Sequence, residues 1–330
     1  MKKVVFVCHD PGGYDAVRPV YELMKKDGID CIFFPLGPSA KLAAVNVDIN
    51  ESLNNINSMA AKGDISVLVT GTSWGVDYEL DCISICDKAE IKTVSILDYW
   101  SNYKMRFYHN EKKKYVFPQY YFVMDELAKK EAIGEGVPEK ILEITGSPGL
   151  DKYVDCQQDK SLFREDDEDV LFLSQPLSVL YGDSLGYTEK TVFSDVAEVC
   201  KRLGKTVKIK FHPKDDDEFR QAYKSYEESD CIDIIAHKYS KIVGMNTMAL
   251  LQLYLIGGSV INYQPGLKQP DLCITNILGI TKRIDNKTDL AKVLLENDGK
   301  TCTMTCRFFW QDGKSTWRVF NRLKELMVGR

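Results

Sequence analysis

His212-Pro213-Lys214 stands directly behind the alternating run Val207-Lys208-Ile209-Lys210-Phe211. An imidazole and an ammonium side by side can donate hydrogen bonds to a phosphate. The period of two predicts a strand. Pro213 has no N–H and turns His212 away from helical geometry, so the strand stops there. His212 is thereby placed in a loop at the carboxyl end of a strand, the edge where open α/β sheets bind ligands. Some thirty residues on, Ile242 to Leu251 reads as a short apolar strand, a turn at Gly244, and Asn246 or Thr247 as N-cap of an apolar helix. Such a helix start suits a phosphate. Two loops of this kind in one half of the chain point to a nucleotide mono- or diphosphate held between them. The plain alternative is a bare strand end and an ordinary helix cap.

Three further stretches carry chemistry. His9-Asp10-Pro11-Gly12-Gly13 follows the first apolar strand, and Gly71-Thr72-Ser73 follows another, each setting small polar groups before a helix. After a third strand, Asp98-Tyr99-Trp100-Ser101-Asn102-Tyr103-Lys104-Met105-Arg106-Phe107 combines an acid, four aromatics, an Asn and two bases. Aromatic walls with a few polar groups are what a carbohydrate or polyol pocket needs. An aromatic packing loop is the alternative. Ser174 and Gln175 occupy a comparable loop in the second half of the chain.

The elements that must position these residues alternate. Strands are expected at Val4–Cys8, Ile29–Phe34, Ile65–Thr70, Ile91–Leu97, Tyr120–Met124 and Ile141–Thr145, with helices from Tyr14 to Lys26, Val76 to Lys88 and, capped by Asp125, to Gly134. The opening is a βαβ unit. It lacks the GxGxxG spacing, which argues against a dinucleotide oxidoreductase. In the second half, strands are expected at Val170–Leu173, Val207–Phe211, Ile242–Val243 and Ser259–Tyr263, with helices near Thr188–Leu203 and Ser315–Met327. Gly182 and Gly186 are expected to let the loop before Thr188 move.

The order strand, His-Pro, helix, strand, strand, Gly-Met-Asn-Thr, apolar helix resembles the nucleotide-binding domain of GT-B-fold transferases that use CMP- or CDP-activated donors. The bacterial sialyltransferases with a His-Pro motif and the CDP-glycerol glycerophosphotransferases are the similar families, over residues 168–265. The stretch Asp98 to Phe107 resembles a signature of surface-polysaccharide biosynthesis proteins. Gly146-Ser147-Pro148-Gly149-Leu150-Asp151 resembles the hinge turn of GT-B proteins, UDP-sugar 2-epimerases included. The resemblance implies two Rossmann-like domains facing a central cleft. It implies donor contacts at Ser174, Gln175, His212, Pro213, Lys214, Gly244, Asn246 and Thr247. His212 and Lys214 would hold and protonate the leaving phosphate. His9 or Asp10 would be the general base, and Gly12, Gly13, Thr72, Ser73, Asp98, Trp100, Asn102 and Arg106 would line the acceptor side.

Composition sets the bounds. A length of 330 residues predicts two domains: 1–150, a linker at 151–169 that includes the acidic run Glu165 to Asp169, and 170–330, whose terminal helix the GT-B resemblance implies crosses back to the first domain. A net charge of −5 offers no footprint for nucleic acid. No apolar run reaches the ~18–20 residues of a membrane span, which leaves room for peripheral membrane association only. Ten cysteines without a CxxC read as reduced, buried thiols of a cytoplasmic protein. Cys82 with Cys86 and Cys302 with Cys306 have a spacing that fits a helix face or a metal site. Asp215-Asp216-Asp217 matches DxD in letters but begins a helix, where acids suit the dipole. No metal and no cofactor besides the donor are expected.

The expectation is therefore an α/β, GT-B-like transferase. It would move a sugar or polyol-phosphate group from a CMP- or CDP-linked donor to a hydroxyl acceptor in surface polysaccharide, teichoic-acid-like or glycoprotein glycan assembly. A UDP-sugar 2-epimerase and a non-catalytic glycan-binding relative are the alternatives.

Overall fold

The computed structural model describes residues 2–155, 169–296 and 308–328. Cys156, Cys302, Cys306 and the acidic residues 165–168 lie outside them. The chain forms two compact units, Met1–Lys152 with Cys306–Arg330, and Tyr153–Thr305.

In the first unit the order is β1 (Lys3–Cys8), α1 (Pro11–Lys26), β2 (Cys31–Pro35), α2 (Gly37–Leu42), α3 (Ile49–Ala61), β3 (Ile65–Thr70), α4 (Tyr78–Lys88), β4 (Lys92–Ile96), a small hairpin of β5 (Tyr108–His109) and β6 (Lys114–Tyr115), β7 (Tyr120–Val123), α5 (Glu126–Gly134), β8 (Leu142–Ile144) and α6 (Pro148–Asp155). Six strands form one parallel sheet in the order β2-β1-β3-β4-β7-β8. Val4 to Cys8 are all buried, as a parallel strand covered on both faces requires. One face packs on Tyr14, Val17, Val20 and Met24 of α1 and on Val319, Phe320, Leu323 and Leu326 of the last helix. α4 lies against β3 and β4.

The second unit runs β9 (Asp169–Leu173), α7 (Leu177–Tyr181), α8 (Glu189–Leu203), β10 (Thr206–Lys210), α9 (Asp217–Ala222), α10 (Ile232–Lys238), β11 (Lys241–Gly244), α11 (Met248–Ile256), β12 (Val260–Tyr263), α12 (Ile274–Ile277), β13 (Arg283–Ile284) and α13 (Lys287–Leu295). Its parallel sheet has the order β10-β9-β11-β12-β13. The last helix, α14 (Ser315–Val328), belongs to the first unit.

Both sheets start alike. The second strand lies on one side of the first and the third on the other. The chain direction therefore reverses between β1 and β3 in one unit and between β9 and β11 in the other. Outside the carboxyl ends at such a reversal lies a natural ligand crevice.

Several expectations are corrected. Pro11 already starts α1, so Gly12 and Gly13 are in its first turn and not in a loop. Residues 151–155, expected as linker, are helical. Asp151 accepts the Ser315 and Thr316 N–H groups at 3.1 and 2.6 Å, capping α14. Trp317, which reads with Val319, Phe320, Leu323 and Leu326 as an apolar position of the last helix, is exposed. Cys231 is exposed at the head of α10, and Cys31 is half-buried. Gly186 has φ +91° and faces the Gly266 carbonyl, leaving no space for a Cβ, so the position requires glycine for its backbone geometry. Among the described residues no helix is long and apolar enough to cross a membrane.

Candidate active site at two strand-end clusters

The first cluster surrounds the reversal between β1 and β3. His9 and Asp10 form the short turn from β1 into α1. His9 Nδ1 lies 2.7 Å from Asp10 Oδ1. A carboxylate only accepts, so Nδ1 carries a proton, and in the neutral imidazole Nε2 is then the nitrogen with the lone pair. Nε2 abuts Gly37, which has φ +53° and where a Cβ would come within 2.3 Å of it. A hollow of about 530 Å³ opens there, bounded by His9, Gly37, Asn46, Asp48 and Glu51. Ser39 fastens the turn from below: its Oγ donates to the Asp10 carbonyl at 2.8 Å, and its N–H to that of His9 at 3.0 Å.

Thr72 and Ser73 follow β3 and are buried. Asp10 N–H donates to Ser73 Oγ at 3.1 Å, tying the two loops together. Thr72 is engaged from the other side. Arg106 Nη1 donates to the Thr72 carbonyl at 2.5 Å and to Asp98 Oδ1 at 2.6 Å, and the Thr72 hydroxyl donates to the same Asp98 oxygen at 3.2 Å. Asp98 Oδ2 sits where a Cβ on Gly12 would be, at 1.9 Å, so Gly12 admits a carboxylate of the protein itself to the first turn of α1.

Part of the expected acceptor wall is scaffold. Trp100 is buried, donates to Asp125 Oδ2 at 3.0 Å, and packs edge-on against Trp310. Arg106 is buried and is engaged through Nε and Nη1 by Asp98, Thr72 and the Ser101 carbonyl. Asn102 takes the left-handed conformation, φ +56°, at the turn before Arg106. These side chains hold the loop after β4. They do not form an open sugar platform.

Glu79 is a member of this cluster that motif reading passes over. It is buried at 3% exposure, accepts Ser73 N–H at 2.7 Å through Oε2, and accepts His9 N–H at 3.3 Å through Oε1. Burial pushes its carboxyl up to about 7; Ser73 holds it down, while Asp10 and Asp98 push it further up. The signal was periodicity, since Glu79, Cys82, Ile83 and Cys86 share the buried face of α4.

The second cluster lies at the reversal between β9 and β11. His212 follows β10. Its Nδ1 accepts Lys214 N–H at 3.1 Å, so Nε2 carries the proton and is a donor. Burial draws this imidazole below its usual range, with Asp215 opposing and Lys214 assisting. His212 N–H donates to Asp215 Oδ2 at 2.8 Å. Asp215 is thus a buried turn residue, while Asp216 is the N-cap of α9. Burial pushes the Asp215 carboxyl up, and the neighbouring Ser174 hydroxyl draws it back. Ser174 Oγ and Asp215 Oδ1 are not aligned as a hydrogen bond and are buried without other partners. Pro213 and Lys214 are exposed at the turn.

Gln175 spends its amide on the protein: Oε1 accepts Asn246 N–H at 2.8 Å, and Nε2 donates to the Asn246 carbonyl. It fixes the loop after β11 instead of offering itself to a ligand. Thr247 caps α11, accepting Ala249 N–H at 3.2 Å. A Cβ on Gly244 would meet Leu250 at 3.0 Å, so this glycine serves helix packing. Behind the loop a buried polar network, also not foreseen, joins Asn262, Gln264, Asp271 and Asn276. Among the described residues no group of three or more metal-ligating side chains is gathered.

The fold is α/β of GT-B type, with two Rossmann-like halves. Similar solved structures include the UDP-GlcNAc 2-epimerase from Methanocaldococcus jannaschii, at TM-score 0.69 and 13% identity over 98% of this chain and 99% of that one. The Neisseria meningitidis UDP-GlcNAc 2-epimerase bound to UDP-GlcNAc has TM-score 0.67 and 11% identity, over 98% and 100% of the chains. MurG from Acinetobacter baumannii has TM-score 0.55 and 9% identity, over 98% and 100%. A family model of alpha-2,8-polysialyltransferases matches residues 87–244. No curated protein matches the chain.

Proposed function

We propose that this protein is a glycosyltransferase that moves a sialic-acid-type sugar from a CMP-linked donor to a hydroxyl of a glycan acceptor. The observation that carries this reading is the alpha-2,8-polysialyltransferase match, which runs from α4 through the His212-Pro213 turn to Gly244. It favours the CMP-sugar side of the sequence expectation over polyol-phosphate transfer. In this reading the acceptor hydroxyl attacks the anomeric carbon and gives its proton to His9 Nε2, which Asp10 orients through Nδ1. The bond from that carbon to the CMP phosphate breaks, and the phosphate takes the electron pair. His212 Nε2–H, the Lys214 ammonium and the Asn246–Thr247 loop receive the phosphate charge. His212 acts as a neutral donor, in keeping with its lowered pKa.

The test is turnover of CMP-sialic acid with a panel of oligosaccharide acceptors, with and without EDTA. Transfer that survives EDTA is expected. His212→Ala should weaken CMP binding or turnover about ten- to a hundred-fold, the worth of one charge-assisted hydrogen bond. His9→Ala should lower turnover by about 10²–10⁴ with CMP affinity unchanged. Acceptor-independent turnover of UDP-GlcNAc, with no use of CMP-sialic acid, would replace transfer by the epimerisation for which the structural neighbours are named.

A further inference from the structure

Glu79 takes no part in the chemistry just described, yet it is the buried group around which the first cluster closes. One carboxylate oxygen holds the His9 N–H and the other the Ser73 N–H. The backbone is cut away to let it in. A Cβ on Gly71 would stand 2.9 Å from Oε1 and 2.8 Å from the Gly13 Cα. The turn after β1, the first turn of α1 and the loop after β3 therefore converge on this one carboxyl.

We propose that Glu79 is a positioning residue, clamping the His9–Asp10 turn to the Thr72–Ser73 loop and so presenting His9 Nε2 to the acceptor. The proposal rests on the reading of His9 as the base. Only the ionised carboxylate accepts fully from both N–H groups; the protonated acid gives up one acceptor to its own proton. The groups that face it are Cys8 from β1, Asp10 from the turn, Asp98 with its Arg106 partner from the loop after β4, and Tyr78 and Cys82 from α4 itself. Two carboxylates and burial oppose ionisation, so the clamp loosens as pH falls through about 7.

Glu79→Gln keeps the shape but sets an NH₂ against one of the two N–H groups. Two measurements on the full-length protein decide the matter. Amide exchange of His9 and Ser73 needs no substrate. In the parent their protection should fall as pH drops through neutrality, and in Glu79→Gln it should be low throughout, while amides inside β1 and β3 stay protected and certify the fold. With CMP-sialic acid, Glu79→Gln should lose turnover about 10²-fold, the cost of an ångström-scale misplacement, with CMP affinity retained. Equal protection in parent and variant overturns the clamp, and loosened amides with parental turnover overturn the positioning role. A parent without transferase activity strikes the transfer reading instead, and the exchange data still decide the clamp.

Discussion

Whether a side chain serves chemistry or scaffolding turns, residue by residue, on where its polar atoms are spent. His212 and His9 each fix one ring nitrogen inside the protein and keep the other in reserve. Arg106, Trp100 and Gln175 spend theirs internally. Glu79 lies between these cases, and its ionisation has a measurable consequence. Its folded pKa stands above that of a free glutamate, so the folded state binds the extra proton. Its contribution to stability is fully present below about pH 4.5 and is lost as pH rises to about 7, on the order of 3 kcal/mol in all. Chemical denaturation of Glu79→Gln between pH 4.5 and 8 should show that slope removed; an unchanged slope would contradict the assignment. The histidine turns were legible because a strand pattern ending on proline, alternating before His212 and continuously apolar before His9, is a local signal. Glu79 was not, because a glutamate near Asp77 and Asp81 reads as a solvated helix face until tertiary packing buries it.

Among the elements, the helix start gives the clearest account of what sequence does and does not disclose. Gly146 to Asp151 stood out as a hinge-like turn, and its residue types have a definite use. Gly146, at φ +91°, would bring a Cβ within 2.3 Å of Ser315 Oγ, and the Asp151 carboxylate accepts both first N–H groups of α14. The glycine permits the approach and the aspartate caps the helix. Asp151→Ala should therefore cost about 1–2 kcal/mol, read as a lower melting point, with CMP affinity unaffected. That the partner of this turn is a helix more than 160 residues away could not be read from either segment alone. The strands of the two parallel sheets, apart from β13, and the helices α1, α4, α5, α8, α9, α11 and α14 were legible, since apolar runs and caps are local; α3, α10 and α13 were not assigned as helices. Short α2 and α7, carrying little periodicity, were not.

Across the whole molecule, the two units differ in how the chain builds them. The second is drawn from one continuous stretch, while the first needs α14 to cover its sheet. Val319, Phe320, Leu323 and Leu326 are buried there, each worth about 1.5–3 kcal/mol. Together they rival the ~5–15 kcal/mol by which a domain is stable at all. A chain ending after residue 305 should lose one calorimetric transition and keep the other, together with CMP binding by the unit that carries His212. Loss of both transitions would show that the second unit does not stand by itself.

The cap that Asp151 places on α14 also bears on the order of events at the ribosome. Domains commonly fold as they emerge, the earliest first. Here the segment that leaves earliest waits with one face of its sheet covered by α1 alone, because the second helix that shields it is synthesised after the whole of the other unit. The later stretch can reach its native state sooner. The nascent first unit keeps part of that face uncovered in the meantime, and the half begun first is the half finished last.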